Sequence, residues 1–156
     1  MDSIRIKNIR SIVDSGEIQL SRINLLLGKN SSGKSSILRL FPMLKESAKH
    51  ELRGPILWFD ENYDFGDFAN TLSRHAQGEK DAISMKFAWR ASNKVSGRLF
   101  YASHHIFASY LPQEGENFSV ELVIGSSGTG DEAVFKRISI KSDNIDVVFE
   151  SIPKSD

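Results

Sequence analysis

Residues Leu25–Leu38 read LLLGKNSSGKSSIL. Three leucines run into a loop of Gly, Lys, Asn and Ser, and Ile37 and Leu38 then resume an apolar pattern. Within it, Gly28–Ser35 (GKNSSGKS) matches G-x-x-x-x-G-K-[ST], the Walker A pattern. Each position has a chemical reason. Phosphate oxygens need many donors on a concave shell, and successive backbone N–H groups of a Gly-rich loop supply them. Gly28 and Gly33 let the backbone turn and approach a ligand closely. A helix that starts after the loop aims the positive end of its dipole at the anion. Lys34 adds a mobile cation for the β- and γ-phosphates, and Ser35 offers a hydroxyl to Mg²⁺. Asn30 tolerates positive φ better than most residues.

The flanks fit that reading. Ser3–Ile9 starts with alternating Ile4 and Ile6, a half-buried strand pattern. Ser15-Gly16 is a turn, and Glu17–Leu20 alternates again. Arg22–Leu27 (RINLLL) ends in a continuous apolar run, as in a strand buried on both faces. After the loop, Ile37, Leu40, Phe41 and Leu44 share one helix face. Pro42 lies inside that helix, where it removes a hydrogen bond and clashes with the Leu38 carbonyl, so a kink or break is expected. Gly54-Pro55 ends the unit.

Downstream the pattern turns to strands. Ile56–Phe59 is a short apolar run, and Phe65, Phe68 and Leu72 suit one face of a short helix. Ile83, Met85, Phe87 and Trp89 alternate, followed by a turn around Asn93 and Gly97 and by Leu99 and Tyr101. Phe118–Ile124, Ala133–Lys141 and Ile145–Phe149 alternate in turn, which predicts an antiparallel meander. The chain divides at residue 54 into a P-loop core (1–54) and a β-rich continuation (55–156).

The bulk numbers exclude several classes. The chain has 156 residues, 40% apolar and 26% charged, with no net charge, so global basicity does not argue for nucleic acid. With no cysteine, thiol catalysis and zinc–thiolate sites are out. MDSIRIKNIR has no signal-peptide core, and no apolar run approaches the ~20 residues of a spanning helix. A cytoplasmic setting fits.

The arrangement is more specific than a bare phosphate loop. A strand ending in Asn8-Ile9-Arg10-Ser11, a second short strand, and then Ile23–Leu38 resembles the first lobe of ABC-type ATPases, in the SMC-like, RecF-like and OLD-like branch. Phe65–Leu72 (FGDFANTL) followed by a meander looks like the ATPases of bacterial anti-phage systems, the Septu and retron-associated ones among them. The resemblance implies an α/β P-loop fold: a mixed sheet, one kinked P-loop helix and an antiparallel meander. It implies ATP at Gly28, Lys29, Asn30, Ser31, Ser32, Gly33, Lys34, Ser35 and Ser36, with Mg²⁺ on Ser35 and Lys34 in the catalytic role. Arg10 and Ser11 match the position after the first strand that lies near the nucleotide in relatives. It further implies a head-to-tail homodimer or higher oligomer that sandwiches ATP. A partner nuclease or fused nuclease domain, and nucleic acid reached through the complex, complete the picture. The family loop often has glycine where this chain has Ser31.

Hydrolysis needs more than this loop. The one Walker B-like string is Ile56–Glu61 (ILWFDE), but it follows the first helix too soon, so Asp60 and Glu61 read rather as a strand end and turn. No signature loop appears. Gly125–Gly130 sits between two strands as a hairpin loop, and Gln77 and Gln113 lack the context of a Q-loop. The remaining machinery is thus expected outside this segment, which would be the N-terminal lobe of a longer ATPase. The alternative is an ATP-sensing subunit that binds without turnover.

Other readings are weaker. Adjacent His104 and His105 face opposite sides of a strand, with His50 and His75 distant, so a metal site is not expected. Asn93-Lys94-Val95-Ser96 lacks the Asp of a guanine-reading motif. Small-molecule kinases alternate β and α, unlike this meander. Lys136, Arg137 and Lys141 form either a basic edge for a partner or the solvent face of a strand.

Overall fold

The computed structural model describes residues 1–50, 52, 54–77, 79, 81–91, 114–127 and 132–151. In chain order the elements are β1 (Ser3–Ile9), β2 (Ile12–Asp14), β3 (Ile18–Gln19), α1 (Lys34–Ser47), β4 (Phe59–Asp60), β5 (Tyr63–Asp64), α2 (Phe68–Thr71), β6 (Ala82–Arg90), β7 (Asn117–Ser126), β8 (Ala133–Ser142) and β9 (Asp146–Glu150). The Leu99–Tyr101 strand, the Asn93–Gly97 turn, His104, His105 and Gln113 lie outside the described residues.

The main sheet runs β2-β1-β6-β7-β8-β9, with β3 also on β1. The register follows from the alternation. Ile4 and Ile6 pair with Phe87 and Met85, which pair with Val120 and Leu122, so one face is apolar. Arg5, Lys7, Ser84, Lys86, Ser119 and Glu121 fall on the other face. A register shift between Val123 and Ile124 brings Phe135 opposite Ile124. β9 is the outer strand, with Val147, Val148 and Phe149 exposed.

Helix α1 closes the core. Its Leu40 and Met43 are fully buried with Ile4, Ile6, Ile9, Ile83, Met85 and Ile124, and Ile37, Phe41 and Leu44 pack around them. Each such side chain contributes roughly 1.5–3 kcal/mol by leaving water. Phe65, Phe68 and Leu72 all pack on this core, but only Phe68 lies within α2: Phe65 precedes it and Leu72 follows it, bridging to Ile9. One sheet therefore joins the N-terminal strands to the meander across residue 54, through β1 and β6.

Three expectations change. First, α1 runs through Pro42 from Lys34 to Ser47 without the break that proline could have imposed. The Leu38 carbonyl that Pro42 leaves unbonded belongs to a residue on the exposed side, where water can satisfy it. Second, every strand pairing among the described residues is antiparallel, so the parallel part of the expected mixed sheet is not among them. Third, Arg22–Leu27 is not a buried strand. It belongs to no sheet, and Ile23, Leu25 and Leu27 are 89%, 79% and 80% exposed. An apolar run reads as buried only if strands flank it, and none among the described residues does.

Candidate functional site

The loop between Leu27 and α1 folds back on its own lysine. Lys34 Nζ donates to the carbonyl oxygens of Gly28 (2.7 Å) and Lys29 (2.6 Å), and Ser32 Oγ lies 3.5 Å away. The ammonium group thus sits on the concave side of Gly28–Ser32. Ser32 N–H closes a turn on Lys29 O. Ser31 takes φ +63. The left-handed residue of the turn is therefore Ser31 and not Asn30, which keeps an ordinary φ.

Gly33 caps α1 at φ +94. A Cβ there would stand 2.6 Å from Ile12 Cγ1 and 3.2 Å from Ser11 Oγ, so only glycine fits between the loop and the β1–β2 turn. Gly28 is similarly close to Ser32, whose Oγ would lie 2.9 Å from an added Cβ. No side chain caps the N-terminus of α1, and its first turn carries no acid. Its leading amides, beyond the Ile37-to-Gly33 bond, stay open for an anion. Ser35 is exposed and its hydroxyl makes no hydrogen bond among the described residues; Ser36 follows, half-buried.

These features fit a polyphosphate. Close backbone approach, a cation on the concave side and an uncapped helix start are what phosphate oxygens require. Lys29, Asn30, Ser31 and Ser32 are exposed around it. Ser35 would give Mg²⁺ one oxygen ligand, with phosphate and water completing its shell.

The residues after β1 part company. Ser11 is brought against Gly33. Arg10 turns away: its guanidinium donates to Asp64 O at 2.8 Å and lies 4.9 Å from the centre of the Phe65 ring, with no hydrogen bond to residues 28–36. Asn8, which sequence reasoning took only as part of the strand, is buried at φ +60. Its Nδ2 lies within 3.2 Å of the carbonyls of Gln77, Glu79 and Ala82, and its Oδ1 accepts from Gln77 N–H. A polar residue inside the IRIKNI alternation was the available signal.

Asp60 makes no hydrogen bond to residues 28–36 among the described residues. It ends a two-residue strand and accepts from Asn62 N–H and Nδ2, while Glu61 lies in the turn. Asp64 and Asp67 are likewise used locally, on Gly66 N–H and as the cap of α2. No group of three metal-ligating side chains occurs among the described residues. Arg137 pairs with Glu79 and Lys141 with Asp146, on the solvent face of β8. A groove of about 380 Å³ on the polar sheet face mixes Asp2, Glu17 and Asp143 with Lys86, Arg90 and Lys141, so it favours no single charge. Arg5 makes two hydrogen bonds to Asp14 and holds its carboxyl at about 2. Burial raises the Tyr63 phenol, whose hydroxyl has no hydrogen-bond partner among the described residues. No helix among the described residues is long and apolar enough to cross a membrane.

No curated protein and no solved structure gives a significant match to this chain. Among protein families, residues 1–149 match the AAA ATPase domain. That match embraces the phosphate loop, α1 and the sheet as far as Phe149 in β9, and ATP binding and hydrolysis are the family's chemistry. The chain belongs to the AAA ATPase domain family of P-loop NTPases.

Proposed function

We propose that this chain is the nucleotide-binding lobe of an ABC-type, SMC/RecF/OLD-like ATPase that acts in anti-phage defence or DNA maintenance and controls a nuclease. The observation that carries the ATP site is the loop itself: Lys34 Nζ held on the Gly28 and Lys29 carbonyls beneath an uncapped helix start. ATP, when bound with Mg²⁺, supplies the phosphoanhydride to be cleaved. This chain's share is positioning and charge. Backbone amides of Gly28–Ser36 would hold phosphate oxygens, Lys34 would give up its carbonyl partners for them, and Ser35 would hold the metal.

The exposed Ile23, Leu25 and Leu27 support the lobe reading, because an extended apolar segment gains stability only when strands cover it. Residues 1–54 are then the P-loop core and 55–156 its β-rich continuation. Two lobes would sandwich ATP head to tail, in the cytoplasm, with nucleic acid reached through the complex. A second reading is an ATP sensor without turnover, in keeping with Asp60 accepting hydrogen bonds from Asn62 at the end of its own short strand.

Lys34→Ala tests the site. Calorimetric titration with ATP should show binding lost; wild-type affinity in that variant overturns the assignment. Phosphate release by the wild type supports the hydrolysing reading, and binding without release supports the sensor.

A further inference from the structure

The turn Arg10–Ser11 is held from two sides. On one side Ile12 and Ser11 press on Gly33, the N-cap of α1. On the other, Arg10 is bound to the segment Asp64–Thr71. Its N–H donates to Thr71 O at 2.7 Å, its guanidinium donates to Asp64 O at 2.8 Å, and the guanidinium stacks on Phe65 at 4.9 Å. Ile9 bridges to Leu72, and Ser73 N–H donates to Asn8 O at 2.9 Å.

The segment is stiff. Phe65 is fully buried; Thr71 Oγ1 lies 2.6 Å from Asp67 O and 3.1 Å from Phe65 O; Asp67 caps α2. Asn8 and Arg10 both hold left-handed backbone, at φ +60 and +51. Non-glycine residues keep that conformation only where their surroundings over-determine it. A continuous line of contacts therefore runs from Phe65 through Arg10 and the turn to Gly33.

We infer that Phe65 is a positioning residue for nucleotide binding, acting through Arg10 to seat the β1–β2 turn against Gly33 and so to set the phosphate loop. The inference rests on Gly28–Ser36 being an ATP cradle. Ile12 fills the space that a side chain at Gly33 would take, so the turn is the wall against which the helix start is placed. If the turn drifts, the leading amides of α1 lose their aim.

The test is ATP titration by calorimetry, with thermal unfolding in parallel, on the full chain and on Arg10→Ala, Arg10→Lys, Phe65→Leu and the Arg10→Ala/Phe65→Leu double variant. Arg10→Ala and Phe65→Leu should each weaken ATP by about three- to tenfold, the scale of one cation–π contact and one hydrogen bond. The double variant should bind no worse than the weaker single one, because both act through one line of contacts. Arg10→Lys should be as weak as Arg10→Ala, since lysine lacks the planar group that stacks and forks. Additive losses, wild-type affinity in Phe65→Leu, or full rescue by Arg10→Lys each overturn the positioning role. Should Phe65→Leu not fold, the half-exposed Arg10→Lys variant decides alone. ATP affinity retained in Lys34→Ala marks instead a failure of the cradle itself.

Discussion

Replacing Gly33 by alanine tests the loop's seat most directly. Gly33 has φ +94, and left-handed backbone costs a residue with a Cβ about 1–2 kcal/mol. The new methyl would stand 2.6 Å from Ile12 Cγ1 and 3.0 Å from Cδ1. Those distances are far inside the roughly 3.5–4.0 Å carbon–carbon optimum, and overpacking of this kind costs about 1–3 kcal/mol. Ile12 cannot recede, because it is buried and paired with Ile9. Ser11 Oγ, at 3.2 Å, can rotate away. The sum is about 2–5 kcal/mol, taken either as lost stability or as a loop displaced from its binding shape. Urea unfolding and ATP titration on the same samples separate the two. In the Gly33→Ala/Ile12→Ala double variant the clashing carbons are gone, so its cost should fall below the sum of the singles by about 1–3 kcal/mol. Gly33→Ala with stability within about 0.5 kcal/mol of wild type and unchanged ATP affinity would refute the close seating of the loop.

Other outcomes follow from single features. Ser31→Gly relieves φ +63 and should be neutral or stabilising by up to about 1 kcal/mol with ATP affinity kept; a clear loss of stability in urea contradicts the left-handed assignment. Tyr63→Phe removes a buried hydroxyl that has no partner among the described residues and should stabilise by about 1 kcal/mol, read as a raised unfolding midpoint. Asp14 titrates at about 2 when folded, below its unfolded value near ~3.9. Its contribution is thus full above pH ~4 and lost as pH falls through about 2; the exposed setting keeps it small. The stability difference between wild type and Asp14→Asn should shrink over that window, and a constant difference would rule out the Arg5 pairing as its source.

Local periodicity was a good guide where neighbours in sequence decide the outcome. The alternation of Ile4 and Ile6, of Ile83 to Trp89, and of Phe118 to Ile124 became β1, β6 and β7, because a period of two needs only one buried face. The α1 face held as well, though Met43 buries more deeply than Ile37 or Phe41. The apolar run before the loop misled. Ile23–Leu27 has the letters of a doubly covered strand, but cover comes from other strands, and no local pattern reports whether they are there. Pro42 does not end the helix, since one unbonded carbonyl on an exposed side is tolerated.

By itself the sequence determined that a Walker A string lies between an apolar run and a helix, because that pattern sets particular residues at adjacent positions. It also determined that a β meander follows. Only the tertiary structure decided that β1 lies beside β6, and that Ser11 meets Gly33 while Arg10 is bound to Asp64 and Phe65. The physical reason is separation along the chain. Arg10 and Asp64 stand 54 residues apart and Asn8 and Ala82 stand 74 apart, so their pairing depends on how the whole sheet closes, which no short stretch encodes.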